Sequence, residues 1–183
     1  MLEIFYPQKI MESVYHISFE NMWDRGIRGL IFDIDNTLVP HGAPADEKVK
    51  ELFRHLHCLG FKTCLVSNNK LPRVESFAKE VDSLFIYKAG KPSTKGYEQA
   101  MKQMRTHPGT TVFVGDQIFT DILGANRSGI YSVLVKPINP KEEIQIVLKR
   151  YPEKLILFFF RRKRLKCELS GNQGKGDLWH RGL

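Results

Sequence analysis

The chain has 183 residues and a formal net charge of +8, a length that suits one domain with its own core. Its three cysteines, Cys58, Cys64 and Cys167, are odd in number and lack metal-ligand spacing, which argues for a reducing compartment and against a disulfide framework. The N-terminus lacks the basic start and apolar core of a signal peptide. The longest apolar run near the end, Leu155 to Phe160, is six residues where a membrane span needs about 20, so a cytoplasmic protein is expected.

Residues 1–25 read as a lead-in, apolar enough through Phe5, Tyr6, Val14, Tyr15, Ile17, Phe19 and Trp23 to dock on the domain. Gly29 to Asp33 reads as a buried strand. Asp46 to Leu59 predicts a helix, with Val49, Leu52, Phe53, Leu56 and Leu59 on one face. A second strand, Lys62 to Val66, leads through Ser67-Asn68-Asn69 to a helix from about Pro72 to Glu80. A third strand over Leu84 to Tyr87 precedes a helix from Ser93 to Arg105. A fourth, Thr111 to Val114, precedes a helix over Ile118 to Asn126. Tyr131 to Val135 is the fifth strand, and Glu142 to Lys149 begins a last helix. Short apolar strands alternating with amphipathic helices predict an α/β fold, a Rossmann-like three-layer sandwich around a five-stranded parallel sheet. The organisation expected is a lead-in (1–25), a core (26–150), a basic and aromatic segment (151–169) and a polar, glycine-bearing tail (170–183) expected to be disordered.

In such sheets ligands bind beyond the carboxyl ends of the strands, near the switch in strand order. The polar residues that follow each strand form a coherent set there. Asp33, Asp35 and Thr37 follow the first, Ser67 and Asn68 the second, Lys91-Pro92 the third, and Gly115-Asp116-Gln117 the fourth, with Thr120-Asp121 one turn on. Like charges held as close as Asp33 and Asp35 repel unless a cation sits between them, and a hard divalent ion such as Mg²⁺ is the natural candidate. A carboxylate nucleophile, a hard cation and a lysine suit phosphoryl transfer, because the charge on the phosphoryl oxygens must be neutralised before an anion can approach. Lys91 supplies part of that neutralisation, and Ser67 can hold a remaining oxygen. One carboxylate attacks to form an acyl-phosphate; the second protonates the leaving alcohol and then activates water.

Four elements in order, Asp33-Ile-Asp-Asn-Thr37, Ser67, Lys91-Pro92 and Gly115-Asp116-Gln-Ile-Phe-Thr-Asp121, resemble the haloacid dehalogenase (HAD) superfamily phosphatases. The resemblance implies Asp33 as nucleophile and Asp35 as acid/base. It implies Thr37 as the residue steadying the acid/base turn beside the substrate, and Ser67, Asn68 and Lys91 on the substrate side. Asp33, Asp35 (through its backbone carbonyl), Asp116 and Asp121 are the implied Mg²⁺ set, Asp121 in support. The 34 positions from Asp33 to Ser67 and the 24 from Ser67 to Lys91 leave no room for a cap domain, so an open site is expected. The finer resemblance is to the YqeG group of uncapped, subclass IIIA members, carried by Gly26 to Pro40, Val66-Ser-Asn-Asn69 and Gly115 to Asn126. That group is similar to phosphatidylglycerophosphate phosphatases of mitochondria and plastids, which implies a phosphomonoester on a lipid headgroup and a role in phosphatidylglycerol biosynthesis.

Residues 149–183 hold 10 Lys/Arg and 3 Asp/Glu, a net of +7. Phe158-Phe-Phe-Arg-Arg-Lys-Arg-Leu-Lys166 therefore suits peripheral contact of 155–166 with an anionic membrane, at its inner face. Two rivals stand beside this reading. One keeps the chemistry on a soluble phosphosugar, nucleotide or phosphoprotein. The other is an RNA- or ribosome-associated factor acting through its tail, against which the chain lacks the aromatic stacking motifs of RNA modules.

Overall fold

Residues 2–139 and 156–160 are described in this computed structural model. The expected helix at Glu142 to Lys149, the basic run 161–166 and the tail 170–183 lie outside them. The sheet has six strands, numbered in chain order: β1 (Lys9–Met11), β2 (Gly29–Phe32), β3 (Lys62–Val66), β4 (Leu84–Ile86), β5 (Thr111–Gly115) and β6 (Tyr131–Val135). All pair in parallel, in the spatial order β1-β6-β5-β2-β3-β4. Sequence reasoning counted five. The sixth comes from the lead-in, where Lys9, Ile10 and Met11 pair with Val133, Leu134 and Val135. Three half-buried residues carry too little period-2 pattern to be read as a strand, and their partner lies at the other end of the domain.

Alternation along the strands splits the core. Leu30 and Phe32 of β2, with Val112 and Val114 of β5, face α1 (Phe19–Asp24), α2 (Glu47–Leu59) and α3 (Leu71–Glu80). Ile31, Cys64, Val66 and Phe113 face Tyr97, Ala100, Met101 and Met104 of α4 (Lys95–Met104) and Ala125 of α5 (Leu123–Arg127). Helices on both faces bury both sides of each central strand, which is why β2 and β5 are buried along their whole length and almost wholly non-polar.

The helices begin and end where local chemistry allows. Asp46 caps α2, its side chain accepting the Val49 N–H at 2.8 Å, and Gly60 closes it at a φ of 97°. The helix expected over Ile118 to Asn126 starts instead as a π-turn, Ile118–Ile122, and becomes α-helical only at Leu123. Such one-turn distortions concentrate at functional sites.

The chain runs β2-β3-β4 outward on one side, then returns to place β5 on the other side of β2. The strand order therefore switches between β2 and β5, and the crevice opens beyond their carboxyl ends. Only a loop and α2 separate β2 from β3, and α3 separates β3 from β4, so neither connection holds a cap.

Candidate active site

Asp33 continues the β2 ladder by donating its N–H to the Val114 carbonyl at 3.0 Å. The chain then turns sharply. Asn36 adopts a φ of 63°, a region asparagine tolerates better than most residues. Its N–H donates to Val39 O at 2.7 Å, and Leu38 N–H donates to Ile34 O at 2.9 Å. This turn sets the side chains of Asp33, Asp35 and Thr37 around one crevice.

At its centre lies Lys91. Its Nζ donates to Asp33 Oδ1 and to Asp121 Oδ1, each at 2.6 Å, with all three side chains buried. Burial works against the ammonium charge, but Asp121 and Asp33 outweigh it and hold Lys91 above its ordinary value. Burial also pushes the Asp33 carboxyl up to about 7; the Lys91 charge pulls against that rise, and Asp121 adds to it. Thr37 Oγ1 donates to Asp116 Oδ1 at 3.4 Å, tying the β2 turn to the end of β5.

Asp121 is placed by its π-turn. The Gln117 N–H donates to its Oδ2 at 3.1 Å, and the Tyr97 hydroxyl lies 3.1 Å from the carbonyls of Thr120 and Asp121. Gly115 makes room for it: a Cβ there would stand 2.7 Å from the Asp121 carboxylate.

Carboxylate oxygens of Asp33, Asp116 and Asp121 lie within 4.8 Å of one another. Three buried oxygen donors of one sign, with one lysine among them, suit a hard divalent cation. The Asp35 carboxylate is outside that group. It accepts from Asn69 Nδ2, from Arg73 Nη2 at 3.0 Å and from the Gly42 N–H at 2.8 Å.

Ser67 is buried at the end of β3, its Oγ accepting the Asn69 N–H at 3.2 Å. Asn68, expected on the substrate side, hydrogen-bonds the backbone of Lys91. Asn69, whose segment reads from the sequence as the turn after the second strand, and Arg73, which sequence reasoning did not single out, both reach the Asp35 carboxylate. Their position just after the second strand was the available signal, since that segment opens on the same crevice. Taken together, the arrangement offers a carboxylate beside a cation, a second carboxylate, a hydroxyl and an acidic cluster, which is the equipment for moving a phosphoryl group.

The sequence model of the haloacid dehalogenase-like hydrolases matches residues 41–129. The chain is 35% identical over 162 residues to the probable phosphatase YqeG of Bacillus subtilis, across 88% of this chain and 94% of that one. It is 28% identical over 177 residues to the chloroplastic/mitochondrial phosphatidylglycerophosphate phosphatase 1 of Arabidopsis thaliana, across 87% of this chain and 49% of that protein, so it spans about half of that relative. A crystal structure of a hypothetical protein from Xanthomonas campestris superposes with a TM-score of 0.51 at 15% identity, over 70% of this chain and 75% of the other, a likeness of fold alone.

Proposed function

Since the chain belongs to the haloacid dehalogenase-like hydrolases and is a phosphatase of that family, we propose that it is a Mg²⁺-dependent phosphomonoesterase working through phosphorylation of Asp33. The observation that carries this reading is the Lys91 ammonium held 2.6 Å from both Asp33 and Asp121, beside the third carboxylate of Asp116. Asp33, Asp116 and Asp121 are the side chains that would hold the ion. Bound there, Mg²⁺ would neutralise charge on the phosphoryl oxygens and align the group with its attacker.

The remaining work falls to the chain's own groups. Lys91 Nζ, held between Asp33 and Asp121, neutralises a phosphoryl oxygen. Ser67 Oγ, an acceptor in its bond from Asn69, keeps its own O–H to donate to a second oxygen. An Asp33 oxygen attacks phosphorus, and the bond to the ester oxygen breaks. Asp35 gives that oxygen a proton, so the product leaves as an alcohol. Asp35, now ionised, takes a proton from water as the water attacks the phosphoryl group on Asp33. Phosphate departs and the Asp33 carboxylate is restored.

The substrate we favour is phosphatidylglycerophosphate. Support comes from the name of the Arabidopsis relative, from the capless connections, and from Phe158 and Phe159, which are 58% and 41% exposed just before the basic run 161–166. In this reading 155–166 rests on an anionic membrane surface. The test is phosphate release by wild type and Asp33→Asn, with Mg²⁺, on that lipid in mixed micelles beside a panel of soluble phosphomonoesters. Preference for the lipid, lost in the variant, is expected. Activity on the soluble panel alone would keep the chemistry and overturn the lipid assignment.

A further inference from the structure

Every contact that Asp35 makes through its carboxylate is to a donor. Oδ1 accepts from Arg73 and from the Gly42 N–H, and Oδ2 accepts from Asn69. Oδ1 carries two of these bonds and Oδ2 one, so a leaving oxygen meets a carboxylate already shared among three donors. Gly42 acts through its backbone and Asn69 through a short side chain. Arg73 alone has a long stem on which to move, and it is incompletely used where it stands. Its Nε is buried without a hydrogen-bond partner among the described residues, which marks an open position for an acceptor. The guanidinium lies 5.3 Å from the Phe77 ring centroid, and 23% of the side chain is open to solvent.

The side of the crevice matters. On the phosphomonoesterase reading, on which this inference rests, Asp33 attacks from one side of phosphorus and Asp35 meets the leaving oxygen on the other. A cation against Asp35 therefore faces the leaving group, while Lys91 already serves the phosphoryl oxygens. Two exposed lysines lie on the backbone next to Asn69. Lys70 is the N-cap of α3, three positions before Arg73, and Lys88 donates its backbone N–H to the Asn69 carbonyl at 2.9 Å.

We propose that Arg73 is a specificity-determining residue that takes a second anionic group on the leaving-group side of the substrate, exchanging its bond to Asp35 for one to that group. The planar fork and the unused Nε suit a phosphodiester or a carboxylate a few bonds beyond the scissile oxygen. Substrates with two anionic centres then both bind more tightly and free Asp35 for the leaving oxygen. Substrates with one leave it held.

The test is calorimetric binding to the full chain carrying Asp33→Asn, with Mg²⁺, of glycerol 3-phosphate and of glycerol 1,3-bisphosphate. The bisphosphate is expected to bind about tenfold more tightly. Adding Arg73→Gln should reduce that ratio to roughly twofold, the statistical factor for two equivalent phosphates. Arg73→Lys, with the charge but not the fork, should retain an intermediate ratio. Circular dichroism checks that each variant is folded, and a general loss of structure would weaken both ligands without erasing their ratio. No preference with Arg73 present, binding of neither ligand, or an unchanged ratio in Arg73→Gln would overturn the proposal. Phosphate release by the wild-type chain from glycerol 1,3-bisphosphate, which carries both anionic centres, is measured in parallel. Its absence would overturn the phosphatase chemistry, while the binding ratio still reports on Arg73.

Discussion

Asn68 holds the backbone of Lys91 on both sides. Its Oδ1 accepts the Lys91 N–H at 2.8 Å, and its Nδ2 donates to the Lys91 carbonyl at 3.3 Å. The side chain after β3 thereby fixes the segment after β4, and with it the ammonium between Asp33 and Asp121. Removing these bonds in Asn68→Ala should cost about 1 kcal/mol each in stability. The larger effect should be on phosphate release, where a shift of Lys91 by an ångström lowers kcat/KM on the order of 10²-fold. Melting temperature and kinetics measured together separate the two. A variant that loses stability but keeps its kcat/KM would show that Asn68 does not set the lysine.

Asp33→Asn replaces a buried carboxylate by a neutral group of the same shape. Turnover should fall by at least about 10³-fold, while far-ultraviolet circular dichroism stays unchanged. Persistence of activity would remove Asp33 as the nucleophile.

Gly115→Ala tests the fit between the end of β5 and the π-turn. The added Cβ would lie 2.7 Å from Asp121 Cγ and Oδ2 and 2.7 Å from Phe113 Cε1. Overpacking of this kind costs about 1–3 kcal/mol. Because the atoms displaced belong to the acidic cluster, Mg²⁺ affinity should fall as well. Titration calorimetry on wild type and variant measures it, and equal affinities would show that the carboxylate shifts without consequence.

The raised Asp33 pKa gives a pH dependence with a definite sign. In the unfolded chain the carboxyl ionises near 4, while in the folded chain burial holds its proton up to about 7. Between those values the folded state binds the extra proton, so this group's stabilisation is full below about 4 and is lost as pH rises through about 7. Mg²⁺ competes with that proton. The metal-free protein should therefore melt lower at pH 8 than at pH 5, and less so in Asp33→Asn. Added Mg²⁺ should raise the melting temperature more at pH 8 than at pH 5. Differential scanning calorimetry over that range decides the point.

Phe158 and Phe159 provide a separate test of the membrane reading. Replacing both with Ser should weaken co-sedimentation with phosphatidylglycerol vesicles while turnover of a soluble phosphomonoester is retained. Their aromatic surface is among the largest exposed on the described residues, and interfacial binding scales with buried apolar area. Unchanged sedimentation would remove these residues from any lipid contact.

Much of this was legible from the sequence because it is local. The strands Gly29–Phe32 and Thr111–Gly115 are short unbroken apolar runs, and α2 repeats its apolar residues at helical spacing. Asp33, Ser67 and Asp116 follow their strands directly or within one residue, and Lys91 comes after a short connection, so the order of polar residues along the chain was legible. The sequence by itself determined the α/β class and which polar residues follow the strands. Tertiary structure decided the rest. It joined Lys9–Met11 to β6, tied Asn68 to the backbone of Lys91, packed Asp121 against Gly115 and brought Arg73 to Asp35. Each depends on contact between segments that no local periodicity relates, and such contacts exist only once helices and sheet have packed around a shared core.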